Sequence, residues 1–444
     1  MKEIDVIQIG DVIRKVRKNK NLRLEDLADE NISPATVSNI ERGVPHVSPD
    51  KIMYLLDKLG LTLEQIPQLL ESETHRDNKL LIRLMAIESS IGYGDSRELL
   101  TELDDLNIGD DHKFAPTVHY LKGKCHVADE NWKKAEKALY NAIRLANQYK
   151  TEEKYNIEAA AFCELSVCSY RQNHLEQALQ FAESALKTFT EEGERTQIKY
   201  IAAANKAAYL ERLGRLGEAM KVMEDVWSQI EHMDSTAALR LRETKVNILR
   251  KIKMYDEAVK VALEGIEKAQ LNQHIDQLFD LWSSLGSVYS AKGDWSCAES
   301  CFKTALKLGR YVRSKNVLVT TYTKLGLLYM HQDLLEKAHD ALSTAIRLSD
   351  RSSDAISTTA ACLVMGDYHL KRGNTEEAAH FFSQSLDISR KYQNKFLQQK
   401  ALFRLAKVAR NKSQEDFLIL LENMYEITAD LEAGHNEEDY GEIM

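Results

Sequence analysis

Two groups of polar side chains stand at helical spacing in this chain of 444 residues, and both suit non-covalent recognition. One group lies between Ser33 and Gly43, and the other is spread between Arg171 and Lys251. The histidines are scattered, and the sequence has neither a Ser-His-Asp order nor a glycine-rich phosphate loop. We therefore expect a protein that is not an enzyme and that needs no cofactor.

The cysteines offer little further chemistry. Cys297 and Cys301 lie one helical turn apart, which is compatible with a metal-binding pair. However, no histidine or second cysteine pair stands nearby at the spacing of a zinc site. Because free cysteine packs like a small hydrophobic side chain, we expect both to be buried core residues and expect no metal site.

Composition limits the classes of function. A net charge of -9 argues against a surface that binds nucleic acid as a whole, so any contact with DNA must be local. The low proline and glycine content suits a nearly all-helical protein. We find no apolar run long enough to span a membrane and no signal-peptide layout, and we expect a cytoplasmic protein without a membrane partner.

The segment from Ser33 to Gly43 has the start and stop signals of a short helix. Ser33 suits the N-cap, Pro34 the first helical position and Gly43 the residue after the helix. A short helix carrying Leu24 and Leu27 is predicted before it. The pattern S-x-x-T-x-S-x-I-E-R-G resembles the recognition helix of the repressor-type (XRE-like) helix-turn-helix.

The resemblance implies a role for each position of this helix, which lies in the DNA major groove in that class. Ala35, Thr36 and Asn39 are expected at base edges. Ser38 and Arg42 are expected at phosphates, which position the protein without reading sequence. The predicted DNA-binding residues are Ser33, Ala35, Thr36, Ser38, Asn39 and Arg42.

Two further expectations follow from the same resemblance. Glu41 of this pattern pairs with an arginine of the first helix, for which Arg17 is the candidate. One module also has too small an interface for tight specific binding. A homodimer, or a tetramer, is therefore expected to present two modules to a DNA operator.

Polarity suggests the domain limits. We assign residues 1–70 to the helix-turn-helix domain and the polar residues 71–78 to a linker. Residues 79–428 are assigned to a repeat domain that binds peptide and forms oligomers. The acidic residues 429–444 are expected to be disordered.

The repeat domain is recognised by a period of about 40 residues. A fixed period of this size indicates stacked helical pairs, each of which buries its apolar face on the next. In the clearest copy, Trp282, Gly286 and Tyr289 share one helix and Ala298 and Phe302 the next, which resembles the tetratricopeptide repeat. The fold class expected is all-α, with a right-handed superhelix of about nine helical pairs. The alanines that mark the period are Ala135, Ala178, Ala219, Ala258, Ala298, Ala338 and Ala378.

In tetratricopeptide folds the first helix of each pair lines a concave groove, and the register of Gly286 selects its inward positions. Arginine and lysine there suit a peptide carboxylate, and asparagine suits a peptide backbone. The alternative is that these residues are ordinary solvated charges. The predicted peptide-binding residues are Arg171, Asn205, Glu243, Asn247, Arg250 and Lys251.

A repressor-type helix-turn-helix followed by long-period tetratricopeptide repeats resembles the RRNPP family of bacterial quorum sensors (Rap, Rgg, NprR, PlcR and PrgX), with NprR as the most similar branch. The resemblance implies a cytosolic receptor for a short re-imported signalling peptide. It also implies that the peptide changes DNA binding or oligomeric state. For NprR-like members it further implies that the peptide-free protein sequesters a response regulator of the sporulation phosphorelay.

Two hypotheses of different classes remain open at this point. The first is a peptide-gated transcription regulator that binds DNA. The second is a Rap-like inhibitor of a response regulator, in which the helix-turn-helix contributes little. Salt-dependent binding to operator DNA would separate them, since phosphate contacts make affinity fall as salt rises.

Overall fold

The computed structural model describes residues 6–44, 47–148, 155–312, 314–349, 354–392, 394–410 and 412–433. These parts of the chain contain helices, turns and loops but no strand, so the predicted all-α class is confirmed. None of the helices within them is long and apolar enough to cross a membrane. The chain divides into two compact units, Met1–Leu103 and Asp104–Met444.

In the first unit, the helices between residues 6 and 70 surround one small apolar core. Ile13, Val37 and Leu55 come from three different helices and are fully buried in that core. The α-helices described in this unit are α1 Val6–Asn19, α2 Pro34–Glu41, α3 Pro49–Lys58, α4 Gln65–Ser90 and α5 Ser96–Asp105. The last of them ends just inside the second unit.

The predicted short helix before α2 is a single 3₁₀ turn, Glu25–Leu27. Two carboxylates hold the backbone on either side of it. Asp26 accepts a hydrogen bond from the backbone N–H of Arg23 at 2.7 Å, and Asp29 accepts one from Ile32 at 3.1 Å. Such local side-chain bonds compete with helical ones, which explains why the helix is shorter than predicted.

The structure differs from the predicted linker, because residues 71–78 are helical and lie inside α4. The segment has no glycine or proline to stop a helix, and its polar residues are compatible with an exposed one. The last part of the chain also differs from the prediction. Residues 429–433, predicted to be disordered, continue a helix, whereas residues 434–444 lie outside the described residues.

The second unit consists of antiparallel helical pairs. The described helices of this unit make eight successive pairs, and α4 and α5, which correspond to the first of the nine predicted pairs, belong to the first unit. The eight pairs that follow α5 are α6 Ala115–Ala128 with α7 Trp132–Gln148, α8 Ile157–Arg171 with α9 Leu175–Thr188, α10 Gln197–Leu213 with α11 Leu216–Trp227, α12 Ser235–Lys251 with α13 Tyr255–Leu271, α14 Ile275–Lys292 with α15 Trp295–Leu308, α16 Asn316–His331 with α17 Leu335–Ser349, α18 Ala355–Lys371 with α19 Thr375–Lys391, and α20 Lys395–Ala409 with α21 Gln414–Ala433.

Each of these pairs packs on its neighbours in the same way. The two helices of a pair contact each other, the second helix contacts the first helix of the next pair, and successive first helices also contact. All seven alanines of the sequence period are fully buried at these contacts. The face of the first helices that points away from the second helices is left open, and we call it the inner face.

Glycines of the period mark the closest approach of the two helices in a pair. A Cβ atom at Gly286 would lie 2.7 Å from the ring of Phe302, and one at Gly366 would lie 2.3 Å from the ring of Phe382. Both distances are below van der Waals contact. The large ring of the second helix therefore fits only because the first helix has no side chain there.

Only one of the two paired cysteines is a core residue. Cys301 is buried, but Cys297 is exposed in the first turn of α15, so the prediction of two buried cysteines is wrong for Cys297. Asp294 caps that turn by accepting a hydrogen bond from the Cys297 backbone N–H at 3.0 Å. Within the described ranges, no group of three histidine, cysteine or acidic side chains could hold a metal ion.

Replacing Gly286 with alanine is expected to destabilise the second unit, because the new methyl group forces Phe302 out of its site. We expect a cost of about 1–3 kcal/mol, seen as a lower thermal midpoint by circular dichroism. Gly217 in α11 is the matched control, since a Cβ there meets no atom within 4 Å. Gly217→Ala should leave the midpoint unchanged or raise it, and equal losses for both variants would contradict the packing argument.

Candidate functional site

The first candidate site is the exposed side of α2. Ser33 caps the helix, as predicted: its hydroxyl accepts a hydrogen bond from the Thr36 backbone N–H at 3.2 Å. Val37 and Ile40 bury the opposite side of the helix in the core of the first unit. The capped start and the buried stripe together fix which side chains α2 presents to solvent.

The predicted pair between Arg17 and Glu41 is confirmed. Arg17 of α1 donates to both carboxylate oxygens of Glu41, with Nε–Oε1 at 2.6 Å and Nη2–Oε2 at 2.9 Å. A third bond runs from Arg17 Nη1 to the carbonyl of Leu22 at 2.8 Å. Both charged side chains are largely buried, and the Glu41 hydrogen bond raises the pKa of the Arg17 guanidinium. The pair thus locks the end of α2 to α1.

A glycine allows the same two helices to approach closely. A Cβ atom at Gly10 of α1 would lie 2.3 Å from the carbonyl oxygen of Ile40. That contact is with backbone, which cannot move aside as a side chain can. Gly10 and the Arg17–Glu41 pair therefore fix the position of α2 within the first unit.

The six predicted DNA-binding residues lie together at the start and along one side of α2. Ser33, Ala35 and Arg42 are exposed, and the other three are partly exposed. Thr36 and Ser33 also share a hydrogen bond between their hydroxyls at 2.9 Å, and Arg42 donates to the Asn39 side chain. These contacts hold the side chains in place before any ligand is bound.

The second candidate site is the inner face of the second unit. Three of the predicted peptide-binding residues, Glu243, Asn247 and Arg250, lie one helical turn apart on α12 and are partly exposed. The Arg250 Nε is buried and has no hydrogen-bond partner among the described residues. A buried donor without a partner costs free energy that a ligand acceptor would recover.

The other three predicted residues lie in different settings. Asn205 is buried, and its amide reaches the Ser166 hydroxyl at 3.5 Å. Lys251 is held by Glu211, with Nζ at 2.8 Å from the backbone carbonyl and 2.7 Å from the carboxylate. Arg171 is exposed at the end of α8. The structure therefore does not bring all six residues together.

Four charged residues that the sequence interpretation missed surround Glu243 and Arg250. They come from α10, α12, α14 and α16, and electrostatic interactions connect them with each other. Arg212 exposes 57% of its side chain, and its charge also interacts with Tyr170 of the neighbouring α8 and with Asp354, which caps α18. The set, which we call the inner cluster, consists of Arg212, Arg240, Glu243, Arg250, Asp280 and Lys324.

Burial and neighbouring charges shift the ionisation of the inner cluster. Burial, together with repulsion from Arg250 and Arg212, lowers the pKa of Lys324 to about 8, although Glu243 and Asp280 oppose the shift. Burial also raises the pKa of Glu243 and, helped by Glu243 itself, raises that of Asp280 well above its usual range. The inner cluster thus contains basic and acidic groups whose mutual attraction does not fully offset the cost of burying them.

A helical spacing on α12 could have revealed part of this set. Arg240 lies one turn before Glu243 on the same side of the helix, so it belongs to a polar stripe that the sequence displays. Asp280 and Lys324 are single charges at other register positions of α14 and α16. Only the stacking of the first helices brings them next to α12.

Comparisons with known proteins agree with both parts of the chain. Residues 13–66 match the family model described as helix-turn-helix, and residues 281–311 match the one described as tetratricopeptide repeat. No curated protein matches the chain in sequence.

Two solved structures are similar in fold. A Rap protein complexed with Competence and Sporulation Factor has 13% sequence identity and a TM-score of 0.58, covering 80% of this chain and 99% of that one. The apo form of RapI has 16% identity and a TM-score of 0.50, covering 63% and 98%. The predicted resemblance is therefore confirmed in domain composition and fold, and the likeness to the NprR branch stays a prediction.

Replacing Glu41 with alanine is expected to leave Arg17 as an unpaired, largely buried charge. The first unit should lose about 3–5 kcal/mol of stability, measured as faster hydrogen exchange of the α1 and α2 amides by mass spectrometry. Glu30, an exposed acidic residue of the same unit, is the matched control. Similar exchange in Glu41→Ala and Glu30→Ala would show that the pair does not hold α2.

Proposed function

We propose that this chain is a transcription regulator of the RRNPP type, closest to NprR, whose inner face binds a short signalling peptide and whose α2 reads DNA. The observation that carries the proposal is the inner cluster. It holds an arginine Nε without a described partner and a lysine whose pKa is lowered to about 8 by burial and neighbouring cations. An anionic group placed there would satisfy the donor and stabilise the lysine charge.

The chemistry of the inner cluster favours a peptide over a simple anion. Arg250 and Lys324 suit a carboxylate, whereas Glu243 and Asp280 suit an N-terminal amine or a basic side chain. The side chain of Asn247 makes no hydrogen bond with the described residues and offers both a donor and an acceptor to a peptide backbone. A zwitterionic chain matches both signs of charge.

Signalling would work by a shift of population. A peptide that contacts helices α10, α12, α14 and α16 favours the arrangement of pairs that suits it best. Nearly complete switching requires that it prefer one arrangement by roughly 5 kcal/mol. The proposal places the receptor in the cytoplasm, where a re-imported peptide and DNA are both accessible.

The DNA-binding role rests on α2. Ala35, Thr36 and Asn39 are assigned to base edges, and Ser33, Ser38 and Arg42 to the backbone, in line with the helix-turn-helix match over residues 13–66. A homodimer would present two such helices to two half-sites of an operator. Tight specific binding requires both.

A second candidate function is inhibition of a response regulator by the repeat unit, with no need for DNA. Its support is the fold likeness to Rap proteins over 80% of the chain. Operator binding as a function of salt separates the two candidates. A regulator loses affinity steeply as salt rises, while a chain that shows no specific DNA binding at any salt concentration supports the inhibitor.

Asn39→Ala and Thr36→Ala are expected to weaken binding to the operator by roughly 1–3 kcal/mol each, because base-edge hydrogen bonds are lost. Fluorescence anisotropy with operator DNA and with a scrambled duplex measures the loss. Arg42→Ala serves as the comparison, since loss of a phosphate contact should weaken both duplexes alike. Unchanged operator affinity in Asn39→Ala would remove that residue from base recognition.

Peptide binding is expected to weaken as the pH rises through about 8. Below the lowered pKa of Lys324 its amine is charged and attracts a carboxylate, and above it the attraction is lost. Calorimetric titration between pH 6.5 and 9.5 measures the effect. The ligands are peptides that are encoded beside the gene of this protein and that the purified protein retains in a pull-down.

Two variants make this experiment specific. Lys324→Arg keeps its charge over the whole range and should flatten the dependence on pH. Arg250→Ala should lower affinity at every pH while helicity is retained by circular dichroism. A pH profile that is identical in wild type and Lys324→Arg would show that Lys324 does not face the bound peptide.

A further inference from the structure

A cavity of about 130 Å³ lies where α12 and α13 meet the short turn that precedes α12. One water molecule needs only about 10–15 Å³ of such space, so the cavity has room for a larger group. Its floor is formed by buried apolar residues and its rim by exposed polar ones. We call it the side cavity, and the polar residues that line it are Glu231, Ser235, Arg242, Lys268 and Asn272.

The side cavity is separate from the inner cluster, although both use α12. Ser235, Ala238 and Arg242 follow one another at three and four positions, so they share one side of the helix. Glu243 and Arg250 are seven positions apart and share another side. Neighbouring positions of a helix point about 100° apart, which directs the two sets to different surfaces.

Arg242 has a hydrogen-bond donor that nothing in its surroundings accepts. The residue is 4% exposed. Its Nη2 donates to Glu231 Oε1 at 2.9 Å, and its Nη1 donates to the Ala238 carbonyl at 3.4 Å. Its Nε is buried and has no partner among the described residues. Because a buried donor without an acceptor costs free energy, an acceptor in the side cavity would stabilise this arginine.

Two residues of α13 add donors to the same cavity. Lys268 and Asn272 lie one turn apart, and Lys268 donates to the Oε2 of Glu231. The Asn272 side chain is exposed and makes no hydrogen bond with the described residues. The carboxylate of Glu231 therefore lies between Arg242 and Lys268, which shows that these two side chains hold an oxyanion.

Glu231 satisfies this set of donors only in part. Its two oxygens are used by Arg242 Nη2 and Lys268, which leaves Arg242 Nε and the Asn272 amide open. Glu231 also belongs to a three-residue 3₁₀ turn, and its side chain is 63% exposed. Among the described residues that line the cavity, two cations thus face a single carboxylate. An anion with more than two acceptor oxygens matches the donors better than Glu231 does.

We propose that the side cavity binds a small tetrahedral oxyanion of the phosphate class. Arg242 Nε, Lys268 Nζ and the Asn272 amide hold the anion, and Glu231 competes with it for Lys268. The bound anion links α12 to α13 at the side cavity. This inference does not depend on peptide or DNA binding.

Phosphorus NMR of inorganic phosphate, titrated with the full chain at constant ionic strength, tests the proposal. Glu231→Gln is expected to tighten phosphate binding by about fivefold or more, because the competing carboxylate and its repulsion are removed. Lys268→Ala is expected to weaken it by about tenfold, because a charge-assisted hydrogen bond is lost. A gain in affinity in Glu231→Gln cannot result from misfolding, so the two variants together keep the test specific.

Matched controls carry the same changes of charge outside the cavity. Glu224 of α11 and Lys260 of α13 are exposed and do not line it. Glu224→Gln and Lys260→Ala should therefore bind phosphate within about twofold of the wild type. Circular dichroism verifies that every variant is folded.

Competing anions test the chemical class. Sulfate should displace phosphate, whereas acetate, which has only two oxygens, should displace it poorly at the same ionic strength. Acetate that competes as well as sulfate would contradict the tetrahedral class. The proposal is overturned by a wild-type chain that binds no phosphate up to about 20 mM. It is overturned as well by equal affinities in the wild type, Glu231→Gln and Lys268→Ala, since the anion would then bind elsewhere.

Discussion

The structure depends on one packing constraint: each helical pair must bury its apolar side on the next pair. The contact is close because alanine and glycine stand where the helices approach, as at Gly286 and Ala298, which leave room for the ring of Phe302. Stability then comes from neighbour contacts repeated along the stack rather than from one central core. The inner face takes no part in these contacts and is free to carry polar residues.

That freedom explains the charges of the inner face. A globular core of this size would exclude side chains such as Glu243, Asp280 and Lys324, because their desolvation is costly. On a stack of pairs they remain partly exposed and still influence each other across helices. The result is a cluster with both signs of charge and an arginine Nε without a described partner, on which the proposed peptide site is based.

Local signals and fixed spacings were predictable from the sequence. The Ser33 cap and the Arg17–Glu41 pair follow from a short motif, and the buried alanines follow from a constant period. Features that depend on neighbouring pairs were not predictable in the same way: Lys324 joins the inner cluster only through the stacking of α16 near α12 and α14. Polarity also led to the prediction of a linker where the structure has a helix, because the polar residues 71–78 are as compatible with an exposed helix as with a linker.

The central claim is that a peptide on the inner face controls the helix-turn-helix. The most direct measurement is the dissociation constant for operator DNA, by fluorescence anisotropy, with and without saturating captured peptide. The account predicts a change of about fivefold or more in the wild type and little change in Arg250→Ala at the same peptide concentration. An operator dissociation constant that is the same with and without bound peptide would contradict it.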